Sequence, residues 1–428
     1  MEMNNHSIKI LWITNILFPE AASMLSGDNV LKASGGWMLG AADALIKYHP
    51  NINLSIASLS SKVKSLTILK GKLFTYYILP LGKGNLHYNK TYEAYWKEVK
   101  DFVKPDIVHI HGSEFTHGLA YINACGNRNV VLSIQGLRTA IRKYFFSGLN
   151  KWEVFSNITI FDILRGTSLI ENYKSYKRLS KTETELFSKL NHIIGRTTWD
   201  RAHTFVLNPT AKYHFCNETL RSDFYTSETW DYSRCDKHTI FLSQAAGPIK
   251  GLHQLLKAMP IILSHYPDTK IKIAGADITL FGLPRRFLRI TGYGQIILKY
   301  IKKYNLNGHV KFLGRLNGEE MKREYLSANV FVMPSTIENS PNSLAEAQML
   351  GVPHVVSYVG GAADMMKGNE ENLYRFEEIE MLAEKICRIF EAKDLQINMR
   401  EEALKRHDIQ TNSNQLYKIY SDILDLKN

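Results

Sequence analysis

The chain is short of several things that would mark other classes of protein. Its four cysteines, Cys125, Cys216, Cys235 and Cys387, lie far apart and make no CxxC pair. Neither a zinc site nor a disulfide framework is predicted, and a reducing, cytoplasmic setting fits best. No apolar run approaches the roughly 18 residues needed to cross a bilayer. The nearest, Ile8 to Phe18, is broken by Thr14 and Asn15. It follows Glu2 without a basic leader or a small-residue cleavage site, so it reads as a first buried strand rather than a signal peptide. No two aspartates are spaced as DxD and no His/Cys cluster is visible, so no bound metal is predicted. RNP, KH and helix-turn-helix patterns are missing too, which argues against nucleic acid as a partner.

What is present is a globular chain of 428 residues with 45% hydrophobic and 22% charged residues, long enough for two cores. Its formal charge of +12 suggests an anionic partner without naming it, and nucleic acid, anionic lipid and nucleotide diphosphate all qualify. Short apolar runs alternate with helical-period segments: Ile8 to Ile13, Leu54 to Ser58, Ile107 to Ile110, Val130 to Ile134 and His192 to Ile194 read as strands. Helices fit between them, for example over Trp37 to Tyr48 and Tyr92 to Val103. The pattern is that of a parallel, doubly wound sheet. It loosens over Asn208 to His238 and then resumes with Thr239 to Leu242, Lys270 to Ile273, Val310 to Phe312, Val330 to Val332 and His354 to Ser357. We therefore expect a first Rossmann-like domain over residues 1–215 and a second over 216–408. A last helix, within 409–428, carries an apolar stripe at Leu416, Ile419, Tyr420 and Ile423. It must bury against something, and packing back on the first domain is one solution.

The most informative stretch is ENSPNSLAEAQMLGVP, residues 338–353. Ser340 suits a helix cap, Pro341 a first helical position, and Gly351 and Pro353 a helix end. A helix over Pro341 to Leu350, entered from a strand ending near Met333, presents backbone N–H groups and a positive dipole end at a sheet's carboxyl edge. Open α/β folds bind ligands there. Glu338 and Glu346 flank this turn. Eight helical residues would separate their backbones by about 12 Å, which argues against the paired carboxylates of a glycoside hydrolase. Separate tasks fit better, although both also read as ordinary loop and helix acids.

Glu338-x7-Glu346, followed by Gly351-Val352-Pro353 and Gly360-Gly361, resembles the carboxyl-domain signature of the retaining glycosyltransferase family four. The resemblance extends to Gly35-Gly36, to Asp106 through Gly112 and to Lys250-Gly251. It implies the GT-B fold, two Rossmann-like doubly wound domains facing each other across a cleft, and a nucleotide-sugar donor such as a UDP- or GDP-sugar. By resemblance Glu346 holds the ribose and Glu338 a donor-sugar hydroxyl. The backbone from Asn339 through Ser340, Pro341 and Asn342 to Ser343 takes the sugar and phosphates, and Lys250 pairs with the diphosphate. Gly35 and Gly36 then let backbone approach a phosphate, where the residues alone read as a tight turn. His111, at the carboxyl end of a strand that also carries His109, resembles the family's active-site histidine.

At Gln244 the sequence departs from the family, many members of which carry an arginine six residues before the phosphate lysine. Either Lys250 works with helix dipoles alone, or a guanidinium comes from Arg196 or Arg201, which flank a predicted helix start. Between Leu137 and Lys181, Arg138, Arg142, Lys143, Lys151 and Arg165 are interleaved with Tyr144, Phe145, Phe146, Trp152, Phe155 and Phe161. This suits peripheral contact with an anionic membrane, on the inner face of the plasma membrane, as well as a plain solvated face. The expected activity is retaining glycosyl transfer to a saccharide or lipid-linked saccharide in cell-surface polysaccharide synthesis, without metal. The rivals are a nucleotide-sugar epimerase on the same fold and a non-catalytic nucleotide-sugar-binding protein.

Overall fold

The computed structural model describes residues 7–27, 36–82, 88–280, 282, 288–392 and 399–425. Its first sheet is built from β1 (Ile8–Thr14), β2 (Ile52–Ser60), β3 (Thr67–Lys70), β4 (Thr75–Pro80), β5 (Ile107–His111), β6 (Val130–Ser133), β7 (His192–Gly195) and β8 (Lys212–Phe215), in the order β3-β4-β2-β1-β5-β6-β7-β8. Every pairing is parallel except β3 with β4. β1 is a near-continuous apolar run because helices cover both faces of a parallel sheet. β3, by contrast, alternates half-buried and exposed residues, as an edge strand with one solvated face does.

The second sheet holds β9 (Asp236–Leu242), β10 (Lys270–Ile273), β11 (Val310–Phe312), β12 (Ala328–Met333), β13 (His354–Ser357) and β14 (Leu373–Tyr374), ordered β11-β10-β9-β12-β13-β14 and parallel throughout. In both sheets the strand order reverses beside the first strand, the arrangement that leaves a crevice at the carboxyl ends of the two strands flanking the reversal.

The chain divides into two compact units: residues 1–140, 176–222 and 406–428 form one, and residues 141–175 and 223–405 the other. Two differences from the sequence division at 215/216 have clear causes. β8 extends the first sheet past Thr204, so the chain leaves that unit only after Ser222. Residues 141–175, assigned from sequence to the first domain, pack with the second unit. Two short helices of this segment, Lys151–Phe155 and Ile160–Arg165, are closed by capping boxes, Asn150 with Glu153 and Thr159 with Asp162. Asp162 also accepts the Gly292 N–H at 2.8 Å, Thr159 Oγ1 donates to the Ile290 carbonyl, and His253 Nε2 lies 2.7 Å from the Ser147 carbonyl. Caps and core thus anchor the segment.

The carboxyl-terminal helix, Ile409–Ile423, lies in the first unit. Leu416, Ile419, Tyr420 and Ile423 pack into the cluster formed by Ile10, Trp12, Leu45 and Ile56. At its centre the fully buried Tyr420 hydroxyl accepts from Trp12 Nε1 at 2.9 Å and lies 2.6 Å from His109 Nδ1. His109 Nε2 in turn lies 2.6 Å from Ser133 Oγ. Removing the hydroxyl strands an indole N–H and an imidazole nitrogen in the core. Tyr420→Phe should therefore destabilise the protein by about 1–3 kcal/mol, read as a lower midpoint in urea unfolding; an unchanged midpoint would show that this hydroxyl holds nothing.

Candidate functional site

In the second unit the reversal lies between β9 and β12. The chain leaves β9 at Ser243-Gln244 and leaves β12 at Pro334-Ser335, and these four residues line a cavity of about 10 Å³ together with Lys250, Glu338 and Ser343. Lys250 ends a single 3-10 turn, Pro248–Lys250, and Gly251 follows in the left-handed region at φ 72°. A Cβ on Gly251 would stand 1.6 Å from the Pro334 carbonyl oxygen, so only glycine lets the turn and the loop after β12 meet. The Thr336 N–H donates to the Ile249 carbonyl at 2.8 Å and closes the same contact.

That contact brings Lys250 Nζ to 2.6 Å from Glu338 Oε1, with the two side chains 26% and 14% exposed. Ser335 Oγ donates to the same carboxylate oxygen at 2.8 Å. The backbone of Glu338 is fixed from the other side. Gly361 N–H donates to its carbonyl at 3.0 Å, and a Cβ on Gly360, at φ 52°, would lie 1.9 Å from that oxygen. The Gly360-Gly361 pair in the sequence thus exists to seat Glu338. Gln244 stands exposed on the cavity's rim and adds no charge, so among the described residues that line the cavity Lys250 is the cation.

The following helix is Asn342–Met349, one residue shorter at each end than the sequence indicates. Pro341 rather than Ser340 occupies the capping position and offers no side-chain acceptor to the first turn, while Ser340 Oγ lies 3.7 Å from Met365 Sδ. Asn339 is buried in the loop, and Glu346 is buried one turn into the helix. Tyr325 lies beside it, donating its hydroxyl to the Ser343 carbonyl at 2.9 Å and standing 3.5 Å from Glu346 Oε2.

The first unit carries a separate cavity of about 40 Å³, lined among others by Trp12, Trp37, His109, His111, Arg196 and Glu218. His111 ends β5 with both ring nitrogens buried and unbonded. Its ring stacks on His109 at 3.9 Å and meets Trp12 at 4.4 Å. Burial, helped by the Arg196 charge, pushes His111 down to about 3, so it is a neutral imidazole at physiological pH. Arg196 departs from the phosphate role considered for it: its guanidinium is paired with Glu218 and donates to the Ile134 carbonyl. Arg201 lies exposed on the helix Thr198–Leu207. Gly36 opens the helix Gly36–Tyr48, with the Arg221 stem 3.0 Å from where its Cβ would stand, and Gly35 lies outside the described residues.

Sequence reasoning passed over Glu114, three residues beyond His111. Its Oε1 accepts the Gly136 N–H at 2.8 Å while Oε2 is buried without a partner. Burial outweighs that bond and raises the carboxyl to about 7. No motif marks it, because its environment comes from residues distant in the chain.

Two sheets that each reverse at the first strand, parallel throughout except for the β3–β4 edge pair, make up the GT-B fold. Residues 233–406 match the family model described as glycosyl transferases group 1. The chain is 36% identical over 118 residues to an uncharacterized glycosyltransferase of Methanocaldococcus jannaschii, covering 28% of this chain and 26% of that one. It is 25% identical over 151 residues to the GDP-mannose-dependent monoacylated alpha-(1-6)-phosphatidylinositol monomannoside mannosyltransferase of Corynebacterium glutamicum, covering 34% and 35%. The matches thus span about a quarter to a third of these relatives. Sucrose-phosphate synthase from Thermosynechococcus elongatus superposes with a TM-score of 0.70 at 16% identity, over 98% of this chain and 99% of that one. That likeness is one of fold.

Two tests follow from this geometry. Gly251→Ala should cost clearly more stability than Gly368→Ala. Both have positive φ, worth about 1–2 kcal/mol to a non-glycine residue, but Gly368 has nothing within 4 Å of its Cβ position. Equal losses in calorimetry would mean that the Pro334 contact yields freely. For Glu114, the folded form holds its proton more tightly than the unfolded chain, between the ordinary value of 4.5 and about 7. Its contribution to stability must therefore fall as pH rises through that window. Relative to Glu114→Gln, the wild type should be more stable at about pH 5 than at about pH 8, and a pH-independent difference would place Glu114 in an ordinary ionised state.

Proposed function

We propose that the protein is a retaining glycosyltransferase that moves a sugar from a nucleotide-sugar donor to a saccharide or lipid-linked saccharide acceptor in cell-surface polysaccharide synthesis. The second unit takes the donor and the first the acceptor. The observation that carries this reading is the Lys250–Glu338 pair at the β9/β12 switch point, beside the amino end of the helix Asn342–Met349. The group 1 match over residues 233–406 and the GDP-mannose and phosphatidylinositol in one relative's name support it.

In this reading a donor diphosphate displaces Glu338 as the partner of Lys250, with further support from Gly251 and the backbone of Asn339 to Ser343. The freed Glu338 oxygen accepts a hydroxyl of the donor sugar, and Glu346 takes the ribose. Gln244 contributes a neutral amide at the rim. His111, kept neutral, is a hydrogen-bonding group for a sugar hydroxyl. The bond from the anomeric carbon to the diphosphate oxygen breaks as the bond to the acceptor oxygen forms on the same face, and the acceptor proton passes to the departing diphosphate. Negative charge on that diphosphate grows as the bond breaks, so Lys250 stabilises the transition state more than the bound donor. No metal takes part in this scheme, and the cradle is made of protein groups alone.

The test is turnover of a UDP-, GDP- or other nucleotide sugar with the anomeric coupling of the product followed by NMR, with and without chelator. We expect retention, activity in chelator, and a Lys250→Ala variant that binds nucleotide yet turns over poorly. An inverted product would sink the mechanism, loss of activity in chelator the metal-free cradle, and wild-type turnover by Lys250→Ala the phosphate assignment.

A further inference from the structure

The segment 141–175 carries a feature that the transfer reaction leaves unused. In the two capped helices, Trp152 and Phe155 of the first and Ile160, Ile163 and Leu164 of the second are 78%, 60%, 54%, 73% and 76% exposed. They fall at helical spacings of three and four. Val154 and Asp162 turn inward instead, at 7% and 1% exposed. Single exposed apolar residues need no explanation, but two consecutive helices that both turn their large side chains to solvent do.

The charge around them is one-sided. Residues 141–166 contain two acids, Glu153 and Asp162. Both are drawn inward: each closes its own helix cap, Glu153 also accepts from the Tyr300 hydroxyl, and Asp162 accepts the Gly292 N–H. Lys143, Lys151 and Arg165 remain exposed. Arg165 stretches over the Phe161 ring at 5.7 Å, with an apolar stem and a charged tip as at a lipid interface. Arg138, grouped with these residues on sequence grounds, is not among them, because its guanidinium lies 4.0 Å over the Tyr176 ring within the first unit.

We propose that these two helices are the docking face of the protein for an anionic lipid bilayer, with Trp152, Phe155, Ile160, Ile163 and Leu164 entering the acyl boundary and Lys151 and Arg165 meeting the headgroups. A second copy of the chain would set the same basic rim against itself, on a molecule already at +12. Single-stranded nucleic acid would meet aromatic rings and cations, but the three aliphatic side chains offer it no stacking surface. A bilayer with negative headgroups satisfies apolar and basic groups together, and the rigid caps remove the ordering cost that a loop would incur on binding.

Binding can be read without turnover, so this inference stands apart from the transferase reading. The full chain is sedimented with phosphatidylcholine vesicles with and without phosphatidylglycerol, and its tryptophan emission is quenched with brominated lipid. We expect binding that requires the anionic lipid and weakens with salt. Ile163→Ser with Leu164→Ser, and separately Lys151→Glu with Arg165→Glu, should each weaken it on the order of ten-fold or more, with unfolding midpoints unchanged because all four side chains are exposed. Wild type should lose more emission to the brominated lipid than Trp152→Phe. Absence of wild-type binding, equal binding by the variants, or equal quenching of Trp152→Phe would overturn the proposal. Concentration-dependent dimerisation lost in the apolar variant would assign the face to a second copy instead, and binding to polyglutamate but not to vesicles would assign it to an acidic protein.

Discussion

The site of the second unit depends on two carbonyl oxygens that stand where side chains would otherwise be. The Pro334 oxygen fills the Cβ position of Gly251, and the Glu338 oxygen that of Gly360. Both glycines are in the left-handed region, so each position excludes other residues twice over, by strain and by contact. Because the loop after β12 is gripped from both sides, Glu338 has little room to move, and Lys250 arrives beside it from a turn whose own geometry the same contact defines. A flexible lysine would lose much rotamer entropy on being ordered around a ligand. Here backbone packing fixes where the two side chains start, and the ion pair with Glu338 orders the lysine itself.

The first unit reaches a similar end by different means. Among the described residues His111 makes no ion pair. Its ring rests instead on His109 and Trp12, which are both tied to the Tyr420 hydroxyl from the last helix of the chain. The carboxyl-terminal helix is thus part of the packing that holds the carboxyl end of β5, which explains why its apolar stripe is so regular.

Much of this was legible in the sequence. Parallel strands buried on both faces read as apolar runs, so β1, β5, β6, β9 and β12 stand out, whereas the half-exposed β3 and the two-residue β14 do not. Glu338, Glu346 and Lys250 were singled out through the family resemblance of their spacing, whereas Gly251 and Gly360 stand where the backbone leaves no room for a Cβ. The helix start was misplaced by one residue because Pro341 suits both the cap and the first position in φ. Where chemistry depends on distant neighbours the sequence was silent. Glu114 carries no local signal, and Arg196 looked available only because Glu218 and Ile134 could not be seen beside it. The segment 141–175 was assigned to the wrong unit for the same reason, since its ties run to Gly292, Ile290 and His253, more than 100 positions away.

Net charge illustrates how far composition can mislead about a surface. The formal +12 counts every acid equally, yet Asp162, Glu183, Asp200 and Glu346 are buried, against Arg196 and Lys385 among the described basic residues. Three of those acids accept backbone N–H groups near helix starts: Asp162 from Thr159 and Gly292, Glu183 from Arg138 and Thr139, and Asp200 from Arg196 and Thr197. Their charge is offset by the peptide dipoles they bind and contributes little to the field outside. The basic side chains, with long stems and few internal partners, stay at the surface. Helix capping, a local device of folding, therefore leaves the exterior more positive than the residue count implies, and it does so most strongly where short helices need the most caps.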